Sequence, residues 1–381
     1  MHVPMRPALQ PEVRALLARR PVFDAHADSI GLALDLGTDL AERQSEGQLD
    51  LVRGMEGGLG VWVVVCWVDP ELHLARSFER AREMLLAAHA LAERRPDRFR
   101  LVGNRCELDA ARAAGCVAGI PGIEGGHAIE EDLDKLRWFF EHGLRVMTLV
   151  WNNHLSWVRS CQPGAGPDVP AGLSRFGREV VRTMNEFGMV VDLSHAGERA
   201  FREALEETTK PVIASHSGCK ALHDHPRNLT DEQLRALRDN GGVVGIVFHP
   251  GFLCAGARAE EARVRRLPAY GDLAELDPAR LFLARQRVMG REAAPMPATR
   301  LVEHVVHAVE IAGVDHVGLG SDYDGIERGP EGLEDASCYG VLAQLLVDRG
   351  LSLAEVEQVL GGNMERVFGE VTGEGTRAAA T

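Results

Sequence analysis

Short apolar, β-branched runs recur along the chain and are separated by stretches of mixed polarity. Eight such runs occur, at residues 22–25, 61–68, 117–123, 146–150, 189–193, 211–214, 242–248 and 316–319. Because each run is apolar on both faces, the runs predict strands that are buried on both sides, as in a parallel sheet covered by helices.

The stretches between most of these runs have the apolar spacing of amphipathic helices. Phe176, Val180 and Met184 share one face of a predicted helix, with Ser174 as a candidate N-cap and Gly188 as a candidate C-cap. Strands that alternate with such helices indicate an α/β fold, and eight strands favour closure into a (β/α)8 TIM-like barrel. We expect one catalytic domain over residues 1–381, with a flexible tail after about residue 370. Residues 250–297 interrupt the alternation, and we interpret them as an insertion over one end of the barrel.

Composition and charge exclude several classes of protein. Hydrophobic residues make up 45% of the chain and the formal net charge is −14, without a compact block of Lys and Arg, so a nucleic-acid partner is not expected. The seven cysteines form no CxxC pair, which argues against a zinc site built from cysteines. The first residues lack the apolar segment of a signal peptide, and the most apolar run, 59–68, is too short to cross a bilayer. We therefore expect a soluble, cytoplasmic protein without a membrane partner.

Side chains suited to metal binding or proton transfer stand where five of the predicted strands end. They are His26, Asp28, Glu124, His195, His216 and Asp322. The carboxyl ends of barrel strands meet at one mouth, where active sites of this fold are built. Taken singly, each residue has an ordinary structural use, as a helix cap or a buried hydrogen-bond partner. Their coincidence at matching strand ends predicts one polar site.

These residue types indicate the chemistry of that site. His26 and Asp28 are two residues apart, a spacing that puts both side chains on one face of a strand, where they can bind one ion. Imidazoles combined with carboxylates suit Zn²⁺ better than Mg²⁺ or Ca²⁺. The set exceeds the needs of one tetrahedral site, so it could hold two ions bridged by a glutamate. A water between two ions becomes an acidic nucleophile, and a carboxylate outside the ligand set could transfer its proton.

Several segments around these residues match one known family. They read DAHAD, GIEGGHAI, GLSRFGREVVRTMNEFGMVVDLSHAGERAF, PVIASHSGCKALHDHPRNLTDEQL, GGVVGIVFHPGFL, HVGLGSDYDG, EGLEDAS and GGNMERVF. Through them the chain resembles the membrane (renal) dipeptidase family of zinc peptidases, in the amidohydrolase superfamily, from about residue 24 to residue 368. The resemblance implies a barrel enzyme that hydrolyses the dipeptides L-Xaa-L-Xaa and L-Xaa-D-Xaa through a hydroxide that bridges two zinc ions.

The same resemblance implies a role for each site residue. One zinc would be bound by His26 and Asp28, the other by His195 and His216, with Glu124 bridging the pair. Asp322 matches the carboxylate that takes a proton from the bridging water and passes it to the leaving amine.

Substrate recognition is assigned by the same motifs. Arg227, in HPRN, matches the residue that holds the terminal carboxylate of the substrate, a task to which the guanidinium fork is suited. An internal salt bridge is the alternative use of Arg227. His127, in EGGHAI, is interpreted as a supporting residue rather than a ligand.

One position departs from the family pattern. The best-known members carry a histidine after the fourth strand that polarises the scissile carbonyl, whereas TLVWNNHLSW places Trp151 there. The indole N–H of Trp151 could donate to the carbonyl oxygen, or the ring could simply pack at the mouth. Asn152, Asn153 or His154 could substitute for the missing donor. We count Trp151 and Asn152, with Arg227, as candidate substrate-binding residues.

Two further functions stay open at this stage. One is an amidohydrolase acting on N-acyl amino acids, cyclic amides or β-lactams, which would differ in not requiring a free α-amino group. The other is a non-catalytic accessory protein that retains the barrel, for which Trp151 is the sequence support. Relatives are often dimers, so the resemblance is also compatible with a homodimer.

Overall fold

Parallel strands form a closed barrel in the computed structural model, which describes residues 8–273 and 276–374. The nine strands of this described part are β1 (Val22–Ala27), β2 (Leu59–Trp67), β3 (Phe99–Leu101), β4 (Val117–Glu124), β5 (Val146–Thr148), β6 (Val190–Asp192), β7 (Ile213–Ser217), β8 (Val243–Val247) and β9 (Val317–Gly320). Neighbours pair in the order β2-β1-β9-β8-β7-β6-β5-β4, and β2 pairs with β4 to close the circle. The predicted (β/α)8 barrel is confirmed. The short strand β3 was not predicted; it pairs with β4 outside the circle.

Helices occupy most of the connections between the strands. They are α1 (Pro11–Ala18), α2 (Ser29–Leu36), α3 (Leu51–Gly57), α4 (Pro70–His73), α5 (Ser77–Arg94), α6 (Arg105–Ala113), α7 (Leu133–Glu141), α8 (Arg175–Phe187), α9 (Glu198–Glu207), α10 (Asp231–Asn240), α11 (Pro250–Leu253), α12 (Ala255–Val264), α13 (Pro268–Gly271), α14 (Pro278–Glu292), α15 (Thr299–Ala312), α16 (Tyr339–Asp348), α17 (Leu353–Glu357) and α18 (Asn363–Thr372). Helix α8 has the predicted ends: Ser174 Oγ accepts from the Gly177 amide, and Gly188 has a φ of 72°. None of the described helices has the length and apolar character needed to span a membrane.

The alternating faces of the strands divide the apolar core into two parts. In β2, Val61 and Val63 belong to the cluster inside the barrel, whereas Trp62 and Val64 belong to the cluster beneath the helices. Helix α18 contributes Met364 to the inner cluster and so closes the amino-terminal end of the barrel. The carboxyl-terminal end is left for polar residues.

Residues 250–297, the predicted insertion, contain α11 to α14 between β8 and α15. A separate small apolar cluster, which includes Val264, Tyr270 and Met289, packs α12, α13 and α14 together, whereas Leu253 of α11 belongs to the large apolar core. At the other end of the chain, α18 continues to Thr372, two residues beyond the predicted start of the tail. Residues 375–381, most of that predicted tail, lie outside the described residues.

Candidate active site

The predicted site residues meet at the carboxyl end of the barrel. His26 lies in β1, His216 lies in β7 and Glu124 ends β4, whereas Asp28, His195 and Asp322 follow β1, β6 and β9. The carboxyl ends of two strands are irregular, because the pairing register shifts between Asp24 and Ala27 and between Ala214 and Ser217. Such irregularities re-aim side chains at the rims of barrels.

His26 and Asp28 lie together, as their spacing predicted, with His26 Nε2 at 3.7 Å from Asp28 Oδ2. Strand β1 itself ends at Ala27, and Asp28 is the residue that precedes α2. The Asp28 amide still donates to the Tyr323 carbonyl at 2.9 Å, which continues the pairing of β1 beyond its end.

The two carboxylate oxygens of Glu124 face two different groups of side chains. Oε1 lies 2.8 Å from Nε2 of His195 and 3.3 Å from Nε2 of His216. Oε2 lies 3.5 Å from Nε2 of His26, which itself faces Asp28. The geometry thus divides the predicted ligands into two pairs, with Glu124 between them.

Asp322 lies on the side of the site that holds His26 and Asp28. One ligand atom from each of these three residues falls within 4.8 Å of the others, and the same is true of His26, Glu124 and His216. Asp322 has a left-handed backbone with φ of 62°, as does His195 with φ of 66°. Such conformations are uncommon for residues with a Cβ and cluster at functional sites.

A buried hydroxyl sets the tautomer of two of the histidines. Ser215 Oγ donates to Asp192 Oδ2 at 2.6 Å, and its lone pairs face Nδ1 of His216 at 2.9 Å and Nδ1 of His26 at 3.3 Å. Because the hydroxyl proton is directed to Asp192, the two Nδ1 atoms carry the protons that they share with Ser215. In the neutral form, which is the form that binds a metal ion, each imidazole then has its lone pair on Nε2, directed into the site.

Asn152 performs the same task for His195. Its Oδ1 atom lies 3.0 Å from Nδ1 of His195 and also accepts from Gln162 Nε2 at 2.9 Å. The Asn152 oxygen therefore orients a predicted ligand, a contact that the sequence interpretation did not include. Asn152 also lines the cavity above the site, so its predicted contact with substrate stays a prediction.

Buried polar residues that the sequence analysis missed hold β1 against β9. Asp24 accepts hydrogen bonds from Tyr339 Oη and from Ser321, whose amide donates at 2.8 Å. The Asp322 amide donates to the His26 carbonyl at 2.9 Å, which joins the two site residues directly. The available signal was an acidic residue at position 24 inside an otherwise apolar strand.

The electrostatics of the cluster favour a cation. Burial, together with neighbouring carboxylates, raises the pKa of Asp322 to about 7 and that of Asp28 well above its usual range. Burial lowers the pKa of His195 to about 4 and that of His216 well below the ordinary value, so both imidazoles are neutral at neutral pH. Glu124 is buried too, yet the charge of the His26 imidazole holds its pKa well below the ordinary value.

The donor atoms also fit metal ions. His26 Nε2 and Asp28 Oδ1 are buried and have no hydrogen-bond partner among the described residues. Neutral imidazoles, carboxylates and unsatisfied inward-facing atoms together form the donor set that Zn²⁺ prefers.

A cavity of about 590 Å³, the main cavity, opens above these residues. Its wall includes Trp151, whose ring centroid lies 5.0 Å from that of Trp67 and 6.3 Å from that of His195. Asn153 and His154, which were named as alternative donors to Trp151, do not line this cavity. One of them, His154, uses its Nδ1 atom to accept from the Ser160 amide.

Two other residues singled out in the sequence, His127 and Arg227, do not line the main cavity. His127 bonds through Nε2 to the Val68 carbonyl at 2.9 Å, a structural contact. Arg227 is buried, donates through Nη2 to the His216 carbonyl at 2.9 Å, and lines a second cavity, of about 280 Å³, rather than the main one. His195 lines both cavities, so the two adjoin at this residue. Arg227 Nε has no hydrogen-bond partner among the described residues, and the alternative of an internal salt bridge gains no support.

Gly325 provides a test of the site that leaves the core intact. A Cβ atom at this position would overlap Asp322 Oδ1 and Asp28 Oδ2, two atoms at flexible side-chain ends that can move aside. We expect Gly325→Ala to fold normally but to lower catalytic turnover by about a hundredfold, because the displaced carboxylates leave their working positions. Steady-state kinetics and metal analysis measure the effect. Gly290→Ala, where the added Cβ meets open space, is the control, and equal activity of the two variants would contradict the proposed geometry.

Known proteins resemble this chain in both sequence and fold. A sequence profile of the membrane dipeptidases (peptidase family M19) matches residues 10–380. An uncharacterized dipeptidase of Schizosaccharomyces pombe is 31% identical over 379 residues, which cover 94% of this chain and 82% of that protein.

Solved structures agree with this match. The crystal structure of a probable dipeptidase of Pseudomonas aeruginosa has a similar fold, with a TM-score of 0.81 at 22% identity over 95% of this chain and 99% of that one. A metallopeptidase of Rhodobacter sphaeroides, solved with a phosphinate mimic of the dipeptide L-Ala-D-Ala, has a TM-score of 0.76 at 25% identity. That alignment covers 92% of this chain and 99% of the other.

Proposed function

This chain belongs to the membrane dipeptidase family, peptidase family M19, and on that basis we propose that it is a binuclear zinc dipeptidase. The observation that carries the proposal is the position of Glu124, whose two oxygens face two separate pairs of ligand side chains. A single-ion site would not need a carboxylate between two such pairs.

The ligands follow from that geometry. His195 and His216, with Glu124 Oε1, would hold one zinc ion, and His26 and Asp28, with Glu124 Oε2, would hold the other. When bound, the ions supply Lewis acidity, which lowers the pKa of water and polarises the carbonyl of the peptide bond.

Proton transfer falls to Asp322. Its carboxylate lies beside His26 and Asp28 and lines the main cavity, and in this proposal it transfers the proton rather than serving as one of the ligands around Glu124. It takes a proton as water adds to the carbonyl carbon, and it delivers that proton to the amine nitrogen as the C–N bond breaks. The products are two free amino acids, and the carboxylate is regenerated.

Substrate orientation uses the opposite charges of the two cavities. Among the described residues, eight carboxylates and two guanidinium groups line the main cavity, which therefore attracts the ammonium end of a dipeptide. Arg227, across His195, offers an unpartnered Nε–H to the terminal carboxylate. Trp151 lies in the wall of the main cavity, beside the rings of Trp67 and His195. In this proposal its indole N–H donates to the carbonyl oxygen of the substrate.

A substrate panel with zinc-loaded protein tests the proposal. We expect L-Xaa-D-Xaa and L-Xaa-L-Xaa dipeptides to be hydrolysed, and the matching N-acetyl amino acids and dipeptide amides to be poor substrates, because they lack one of the two charged ends. Release of free amino acids is the measurement. No turnover of any dipeptide would overturn the proposal, and preferential cleavage of N-acyl amino acids would favour the related amidohydrolase activity.

A further inference from the structure

The second cavity has a charge opposite to that of the main cavity, and we call it the side cavity. Arg159, Lys220 and Arg227 line it, and among the described residues Glu198 supplies the one carboxylate of its wall. It meets the main cavity at His195, on the side where Arg227 is placed to hold the terminal carboxylate of a dipeptide. A substrate bound in that way directs its second residue toward the side cavity.

Two buried polar atoms in the wall of the side cavity lack partners. Arg227 is 2% exposed and Ser217 is 0% exposed, and neither Arg227 Nε nor Ser217 Oγ has a hydrogen-bond partner among the described residues. A buried donor without a partner costs free energy in the ligand-free protein. A carboxylate bound at Arg227 would give the guanidinium Nε–H the partner that it lacks.

The other two cations are held by different partners. Arg159 is held in place by the carbonyls of Pro170 and Val169, which accept from Nε at 2.8 Å and from Nη2 at 3.2 Å. Lys220 pairs with Glu198 at 2.9 Å near the surface, where the two side chains are 32% and 65% exposed. Such an exposed pair contributes little stability, so the Lys220 ammonium is free to turn to a second carboxylate.

We propose that the side cavity receives the side chain of the second residue of the substrate, and that Lys220 favours an acidic side chain there. This inference rests on the proposed function, because Arg227 must hold the terminal carboxylate for the side chain to enter. Arg159 adds a fixed positive charge, and the volume of about 280 Å³ accommodates a side chain as long as that of glutamate. Dipeptides ending in Asp or Glu are therefore the preferred class.

The test compares isosteric substrates that differ only in charge. For the zinc-loaded protein, we expect kcat/KM for L-Ala-D-Glu to exceed that for L-Ala-D-Gln by about two- to fivefold, the effect of one partly exposed ion pair. Lys220→Met should lower this ratio toward one, because the ammonium group is removed. Glu198→Gln should raise the ratio, because the substitution releases Lys220 from its partner. A general loss of folding would not shift the ratio of the two kcat/KM values in opposite directions for the two substitutions.

A matched control and an equilibrium measurement complete the test. Lys210→Met also removes a lysine, but one outside both cavities, and it should leave the ratio unchanged. Titration calorimetry with phosphinate analogues ending in Glu or Gln should show the same preference without catalysis. Equal affinities for the two analogues, or a ratio that none of the variants moves, would overturn this inference while dipeptide hydrolysis stands. If no dipeptide is cleaved, the proposed function fails, and the calorimetry still decides whether the side cavity selects a negative charge.

Discussion

Asp322→Asn is expected to lower dipeptide turnover by about a thousandfold while leaving both metal ions bound. The amide has the shape of the carboxylate but cannot accept and return the proton that links water attack to departure of the amine. Asp322 stands outside the two ligand pairs around Glu124, so its loss should not release either ion. Steady-state kinetics and metal analysis of the same preparation measure the two quantities.

The control for this variant removes a different carboxylate from the same cavity. Asp35 lines the main cavity and pairs with Arg80 at 2.7 Å, away from the metal ligands. Asp35→Asn should keep turnover within a few-fold of the unmodified protein, since it carries no proton in the proposed reaction. Turnover of Asp322→Asn near that of the control, or loss of metal in step with loss of turnover, would remove Asp322 from the proposed role.

Removal of the metal ions is expected to abolish turnover and to lower the melting temperature by several degrees. Without the metal ions, the carboxylates of Asp28, Glu124 and Asp322 share a buried space in which the charge of the His26 imidazole offsets only part of their burial cost and mutual repulsion. A ligand present at a thousandfold excess over its dissociation constant stabilises the folded state by about 4 kcal/mol, which sets the scale of the thermal shift. Chelation followed by differential scanning calorimetry and activity assays measures both effects.

Restoration by different metals separates binding from general salt effects. Zn²⁺ should restore activity and melting temperature together, with saturation at about two ions per chain. Mg²⁺ should restore neither, because imidazole nitrogen is a poor ligand for it. Full activity after complete removal of metal, or saturation by one ion, would contradict a binuclear site.

The barrel and the cluster of site residues were predictable because both leave local signals. Strands buried on two faces must be continuously apolar, so their positions are visible in the order of residues, and so is the polar residue that ends each run. The profile match over residues 10–380 and the closed strand order agree with that prediction. By contrast, β3 is too short, and too polar at Arg100, to be distinguished from a loop by pattern.

The sequence contains no local signal for how the metal-binding side chains are oriented. Ser215 and Asn152 are ordinary polar residues in the sequence, and their importance comes from their distances to the Nδ1 atoms of His216 and His195. Contacts of this kind join elements far apart along the chain and cannot be deduced from the spacing within any one of them.

Residue order alone was therefore sufficient for the eight strands of the barrel, the metal-ligand candidates and the overall acidity, because each depends on the local sequence or on composition. The division of the ligands around Glu124, the placing of Arg227 outside the main cavity and the opposite charges of the two cavities depended on folding. These features arise where side chains from separate strands are brought within hydrogen-bond distance, and the closed barrel is what brings them there.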